Sequence, residues 1–370
     1  MESWPHSSTA PVFLRARNYQ WYWNSTVDPW SSDDEQWQKY TDVENEIIED
    51  ANNQQKFDVE IDGDYIINLE YSLQYKRDNE FTARPIKRVH FGKDRSNIHP
   101  REERFLLSVT LATSTCSSQQ LQNENELVWL RTYGYITSAY WELELKDKNK
   151  TIADVVEEAA DGIIKEGSAI GKLHEAQWIS QQLVAVKDFG SNTKVDSIKN
   201  FPSNIGETCV YLYTKESFWY KLTNRVLRDP HSMSRKQVKS LGPFCWLLDW
   251  YLYENPTTDI PTVYRSLNLD NEQRKQFMEE IMKFTSFTST SCSRSVAEFY
   301  DGNTLLIIDV NLRDNNHKHI RCGRNISSLS DFPQEEEFLI WPGREFAFVR
   351  YEYDIVKKKH VIYLKSSSWD

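Results

Sequence analysis

The 370 residues carry 44 basic against 55 acidic side chains, a formal net charge of -11, which excludes a whole-surface electrostatic grip on DNA or RNA. Hydrophobic residues at 39%, with 13 Trp, 19 Tyr and 17 Phe as large packing units, exclude a disordered chain and supply more than one hydrophobic core at this length. No apolar run reaches membrane-spanning length, and MESWPHSSTAPVFLRARNYQ lacks the apolar centre of a secretory signal. The expectation is a soluble intracellular protein, cytoplasmic or nuclear, with no membrane partner and no direct contact with DNA.

In chain order, ENEIIEDANN fits a helix, and the alternation in QKFDVEIDGDYIINLEY predicts paired strands around Gly63. Polar stretches run from about His90 to Glu126, broken by FLLSVTLA, which is apolar enough for a strand. TIADVVEEAADGII and EAQWISQQLVAV space their apolar residues by three and four and read as helices, followed by two more in KESFWYKLTNRVL and RKQVKSLGPFCWLLDWYLY. After Pro261 come short β runs, TVYRSL, SFTSTS, TLLIIDVNL, EEFLIW, EFAFVRYEYDIV and HVIYLK, with one helix expected in NEQRKQFMEEIMKF. Helices first and strands second make an α+β arrangement.

Gly167, Gly171 and Lys172 resemble a phosphate loop, but the spacing is one residue short and Leu173 stands where a magnesium-binding hydroxyl is needed. The eight His show no ligand spacing, and Cys116, Cys209, Cys245, Cys292 and Cys322 form no C-x-x-C pair, so no metal is expected and the thiols read as free and buried. Chemistry concentrates instead near the C-terminus. Glu335, Glu336 and Glu337 precede an apolar run, and an extended backbone would turn Glu335 and Glu337 to one face and Glu336 to the other. FTSFTSTS sets Phe287, Ser289 and Ser291 on one face of a second strand. TVYRSL places Arg265 within a third, where a guanidinium is costly unless it meets an anion such as a phosphate.

Arginine, then F-x-S-T-S, then E-x-E, on successive strands, resembles the R-S-E class of ADP-ribosyltransferases, over roughly Ile205 to the C-terminus. Family members often carry Gly where this chain has Ser266, and Trp341 interrupts a segment often richer in proline. The resemblance implies a split β core holding NAD as co-substrate, with NADP as an alternative dinucleotide and no metal. It implies that Arg265 holds the pyrophosphate or ribose region with Ser266 beside it, that Phe287 packs near the nicotinamide, and that Ser289 orients Glu337. Glu337 would stabilise the charge that develops as the glycosidic bond breaks, and Glu335 would position and deprotonate the acceptor guanidinium. The poly(ADP-ribose) polymerase class uses histidine where Arg265 stands, and no His lies near TVYRSL.

WYWNSTVDPW, EQWQKYTDVENEIIEDA and DGDYIINLEYSLQYKRDNEFTARPIKR resemble a WWE domain, with Trp23, Trp37 and Glu49 taken as its eponymous residues. That family is a half-barrel with one helix, and some members bind ADP-ribose units of poly(ADP-ribose). By position the pocket residues would be Tyr40, Tyr65, Gln74 and Arg84. The expected organisation is a WWE domain over residues 1–92, a partly helical connector over 93–200 and a transferase domain over 201–370. The implied activity is transfer of ADP-ribose to arginine on an acceptor protein. An NAD glycohydrolase and a non-catalytic ADP-ribose reader are the alternatives.

Overall fold

A computed structural model describes residues 18–30, 35–91, 104, 111–113, 135–198, 200–229, 233–254, 256–257, 259–311 and 322–367. The first sheet contains β1 (Tyr19–Asn24), β2 (Trp37–Lys39), β3 (Asp58–Ile61), β4 (Tyr65–Asn68), β5 (Leu73–Lys76) and β6 (Asn79–His90), in the spatial order β2-β1-β6-β5-β4-β3. The long β6 joins its halves, pairing its end with β1 and its start with β5. As expected, β3 and β4 form a hairpin, turning through Gly63 and Asp64, both with positive φ. Helix α1 (Asp42–Asn53) begins at a capping box in which the Thr41 hydroxyl accepts from the Glu44 amide and the Glu44 carboxylate accepts from the Thr41 amide.

A helical layer follows: α2 (Ile136–Tyr140), continuing as a π-helical turn over Trp141–Leu145, α3 (Ile152–Ala169), α4 (Leu173–Val184), α5 (Ser203–Thr214), α6 (Phe218–Arg228) and α7 (Arg235–Glu254). Val155, Val156, Ala159 and Ile163 line the buried face of α3, the spacing from which the helix was expected. A Cβ on Gly162 would stand 2.0 Å from the Ser240 carbonyl oxygen, so α3 and α7 cross in backbone contact that only glycine permits. Gly171, at φ +71, lies just past the end of α3, so the phosphate-loop lookalike is the turn between two helices. The sequence signalled α5 poorly, because Cys-Val-Tyr-Leu-Tyr is buried nearly all round and leaves no polar stripe to set a period. No helix among the described residues is long and apolar enough to cross a membrane.

The second sheet contains β7 (Leu111–Thr113), β8 (Thr262–Leu267), β9 (Ile281–Phe284), β10 (Thr288–Ser291), β11 (Thr304–Asp309), β12 (Gly323–Asn325), β13 (Glu337–Ile340), β14 (Glu345–Asp354) and β15 (Lys359–Ser366). Their order is β12-β13-β10-β8-β11-β15-β14-β9-β7. Short helices α8 (Asn271–Gln276) and α9 (Arg294–Phe299) complete the description. The single helix expected in NEQRKQFMEEIMKF is corrected: α8 stops at Gln276, and Ile281–Phe284 pairs with β14, burying Met282 and Phe284 in strand alternation. Of the strand expected in FLLSVTLA, Leu111 and the next residues form β7, while 105–110 lie outside the described residues.

The N-terminal module is bolted to the helical layer through polar contacts. Asp62 accepts from the His174 and Glu175 amides at 2.8 and 3.0 Å, satisfying the N-terminus of α4. Asp42 accepts from the Glu216 amide at 2.8 Å, and Trp178 Nε1 donates to Asp50 at 2.9 Å. At the centre, fully buried Lys215 donates to Glu46 of α1 at 2.9 Å and to Asp331 at 2.5 Å, with its ammonium 4.4 Å from the Tyr211 ring centroid.

Candidate active site

β8, β10 and β13 are neighbours, and the register sets Ser291 opposite both Tyr264 and Glu337, and Ser289 opposite Leu339. The arginine, the hydroxyl strand and the acidic run therefore converge as their order along the chain implied. Arg265 is buried, its guanidinium donating to the Ser289 carbonyl. Burial pushes its pKa down to about 10, and Arg228 and Arg104 act in the same direction. Alternation along β8 turns Ser266 to the opposite face, where it is buried outside this cluster.

The acidic run reaches its geometry by an unexpected backbone route. β13 begins only at Glu337; Pro333–Glu335 is a 3-10 turn, and Glu336 joins the two with φ 47 and ψ 45, in the left-handed region. The continuous extended run is thus corrected. Even so, Glu335 and Glu337 are fully buried while Glu336 is exposed. The Tyr300 hydroxyl lies 3.5 Å from a Glu335 carboxylate oxygen, and the Ser291 hydroxyl donates to the Glu335 carbonyl at 2.9 Å.

Arg104 is hydrogen-bonded directly to Glu337. Its Nε and one terminal nitrogen donate to Glu337 Oε1 at 3.0 and 2.9 Å, while its other terminal nitrogen donates to the Tyr213 carbonyl at 3.0 Å. Its guanidinium lies 4.3 Å from the Tyr220 ring centroid and 4.9 Å from that of Tyr213. Burial opposes the charge, but Glu337, the two phenols and Glu335 outweigh it and hold the Arg104 pKa above its usual value. Ser289, expected to orient Glu337 directly, contributes its carbonyl to Arg265 and lines a void of about 10 Å³ with Arg104, Tyr220, Arg228 and Phe287. Phe287 packs edge-on to Tyr213 at 5.5 Å.

Sequence reasoning missed Arg104, Tyr213, Tyr220 and Arg228. For two of them a signal existed: Tyr220 and Arg228 stand eight residues apart on α6, one helical face, aligned toward Arg265. Arg104 comes from a stretch without periodicity, and nothing in its neighbours announces its place.

A larger cleft, of about 560 Å³, opens beyond the far end of β13, lined by Trp246, Trp250, Trp341 and Asp249 among others. Burial pushes the Asp249 carboxyl up to about 7, against a hydrogen bond from Thr137.

In the N-terminal module, the Tyr40 hydroxyl donates to Gln74 Oε1 at 2.6 Å, and both residues are buried. Gln74 faces Arg84 across β5 and β6, and Arg84 donates to the carbonyls of Asn24 and Thr26 at 3.1 and 2.6 Å. Tyr65 shares the face of Ile67, the cross-strand partner of Gln74, so the four residues gather on one side of the sheet. The tryptophan bonded to Glu49 is Trp21, at 2.9 Å, with Arg88 forked onto the same carboxylate at 2.8 and 2.7 Å. Trp23 and Trp37 are half-buried at the sheet surface, Trp37 beneath the Lys87 ammonium at 3.8 Å.

A buried arginine on β8, the hydroxyl-lined β10 and two buried carboxylates, one at the start of β13 and one in the turn before it, thus lie on neighbouring elements. The family model for NAD:arginine ADP-ribosyltransferases matches residues 172–369, and the chain belongs to that family. A WWE domain model matches residues 19–88, ahead of it. The chain is therefore an ADP-ribosyltransferase with NAD as co-substrate, preceded by a WWE domain. No curated protein matches it. Among solved structures it is similar to the type III effector XopAI from Xanthomonas axonopodis pv. citri (14% identity, 67% of this chain and 95% of the other, TM-score 0.41). It is also similar to the ADP-ribosyltransferase HopU1 of Pseudomonas syringae pv. Tomato DC3000 (20% identity, 44% and 77%, TM-score 0.37). A third is exoenzyme S from Pseudomonas aeruginosa (14% identity, 57% and 88%, TM-score 0.37).

Proposed function

We propose that this protein transfers single ADP-ribose units from NAD, or from NADP, to arginine side chains of an acceptor protein, releasing nicotinamide. The observation that carries the arginine specificity is that a second buried carboxylate, Glu335, stands two residues before Glu337 in the turn that leads into β13. Glutamates so placed suit a guanidinium, which must be held and relieved of a proton before it can attack.

In this reading Arg265 and Arg228, converging from β8 and α6, neutralise the pyrophosphate, and Tyr213, Tyr220 and Phe287 form the wall against the nicotinamide. Glu337 accepts a hydrogen bond from the ribose and stabilises the positive charge at the anomeric carbon as the glycosidic bond breaks. Nicotinamide leaves with the bonding electrons. A guanidino nitrogen forms the new bond from the opposite face while its proton passes to Glu335, giving inverted ADP-ribosyl-arginine. The catalytic unit spans residues 201–370, with 93–200 as the partly helical connector. Incubating the full chain with NAD and agmatine should give an adduct heavier than agmatine by one ADP-ribose. Glu335→Gln should release nicotinamide and free ADP-ribose while losing the adduct. Equal adduct from the variant and the wild type would remove Glu335 from acceptor chemistry, and free ADP-ribose alone from the wild type would make the enzyme a glycohydrolase.

The WWE domain is the proposed reader of ADP-ribosylated proteins or poly(ADP-ribose). Tyr40, Tyr65, Gln74 and Arg84 share one side of its sheet and combine a stacking ring, an amide and a cation suited to a base and a phosphate. Titration with poly(ADP-ribose) should show saturable binding that weakens by about tenfold in Gln74→Ala, the loss of one directional polar contact of about 1.4 kcal/mol. Affinity untouched by that substitution would place the reader surface elsewhere.

A further inference from the structure

We propose that Arg104 is an internal plug of the dinucleotide site, competing with NAD for Glu337 and Arg265; the inference rests on the enzymatic reading above. The residue engages both groups at once. Its guanidinium is hydrogen-bonded to Glu337, and its backbone carbonyl accepts from Arg265 at 3.3 Å. A planar cation packed against the edge-to-face Tyr213 and Tyr220 rings and hydrogen-bonded to a carboxylate has the charge and flat shape of the pyridinium end of NAD. A carbonyl oxygen on Arg265 takes the place of a phosphate oxygen. The site that remains has about 10 Å³, room for one water, whereas a dinucleotide needs a pocket of several hundred Å³. Arg104 and NAD therefore exclude one another.

The same geometry separates a plug from a substrate. An acceptor arginine has to approach the anomeric carbon with NAD already seated, and Arg104 lies where NAD would be. The plug is also replaceable. Arg104 brings a third guanidinium beside Arg265 and Arg228, and its charge lowers the Arg265 pKa. A pyrophosphate would neutralise those two cations, which Arg104 cannot do. Dinucleotide binding thus exchanges one cation at Glu337 for another and sets a pyrophosphate against Arg265, which in the resting site donates to the Ser289 and Arg104 carbonyls. Affinity for NAD scales with the fraction of molecules with Arg104 withdrawn, and is weakest where Arg104 is most often in place.

The test is calorimetric titration of the full chain with carba-NAD, whose glycosidic bond is not cleaved, alongside NAD kinetics. Arg104→Ala should bind at least about tenfold more tightly than wild type, with KM for NAD falling by the same factor and kcat changing by less than about threefold. Millimolar methylguanidine, refilling the vacated slot, should inhibit Arg104→Ala competitively against NAD and leave the wild type unaffected, which a purely structural arginine would not produce. Arg104→Gln, which keeps a polar partner for Glu337, gives the same comparison if the alanine variant does not melt cooperatively. Equal carba-NAD affinity in wild type and a folded variant, with both turning over NAD, overturns the plug and leaves the enzyme reading intact. Absence of carba-NAD binding in both overturns the two together.

Discussion

Glu337→Gln is expected to lower NAD turnover by about three orders of magnitude, some 4 kcal/mol of lost transition-state stabilisation, while leaving a folded protein. The carboxylate stands at the start of β13, fully buried, where charge developing at the anomeric carbon would be least screened. Glutamine is the informative replacement. It keeps an oxygen to accept from Arg104, whereas Glu337→Ala would strand a buried guanidinium and confound a kinetic loss with an unfolding one. Glu336→Gln is the matched control, since that side chain is exposed on the other side of the left-handed turn. Nicotinamide release measured at saturating NAD decides the matter: a rate within threefold of wild type for Glu337→Gln would remove Glu337 from the chemistry.

Lys215→Ala is expected to destabilise the whole chain by about 3–5 kcal/mol, because it leaves Glu46 and Asp331 facing one another in the interior without their shared cation. The effect should reach both modules. Glu46 belongs to α1 and also accepts from the Tyr19 hydroxyl at 3.0 Å, while Asp331 lies four residues before Glu335. Thermal unfolding should therefore show one lowered transition rather than the loss of the N-terminal transition alone. A second substitution, Glu46→Gln in the Lys215→Ala background, removes one of the two stranded charges and should recover part of the loss. Two separated transitions, with the catalytic module melting as in wild type, would show that the Lys215 contacts do not join the modules. On the expected outcome, the WWE domain is a structural part of the transferase as well as its proposed reader, and the loop leading to Glu335 is held from the N-terminal side.

Local pattern carried much of this protein. The 3.6-residue spacing of Val155, Val156, Ala159 and Ile163, the helix in ENEIIEDANN, the hairpin at Gly63 and the alternation of the C-terminal strands are properties of short segments, and each formed where the sequence placed it. The three motif strands were likewise legible, because Arg265, the hydroxyl strand and the acidic run each depart from what a buried strand tolerates without a partner. Where a segment is buried on all sides, as in α5, or changes type midway, as between Gln276 and Ile281, the pattern lost its period and the reading failed. Glu335 and Glu337 were expected on one face through strand alternation; the shared burial is real, but a 3-10 turn and the left-handed Glu336 produce it.

Tertiary structure alone decided which groups occupy the site. Arg104 is 233 residues from Glu337 along the chain, and Glu46 is 169 from Lys215. Pairings at such separations leave no periodic trace, since Arg104, Glu46 and Lys215 each read alone as an ordinary surface charge, and nothing local to Glu337 names its partner. They exist because burying a charge is tolerable only beside its counter-charge, a condition that the folded packing meets and no local window of sequence displays.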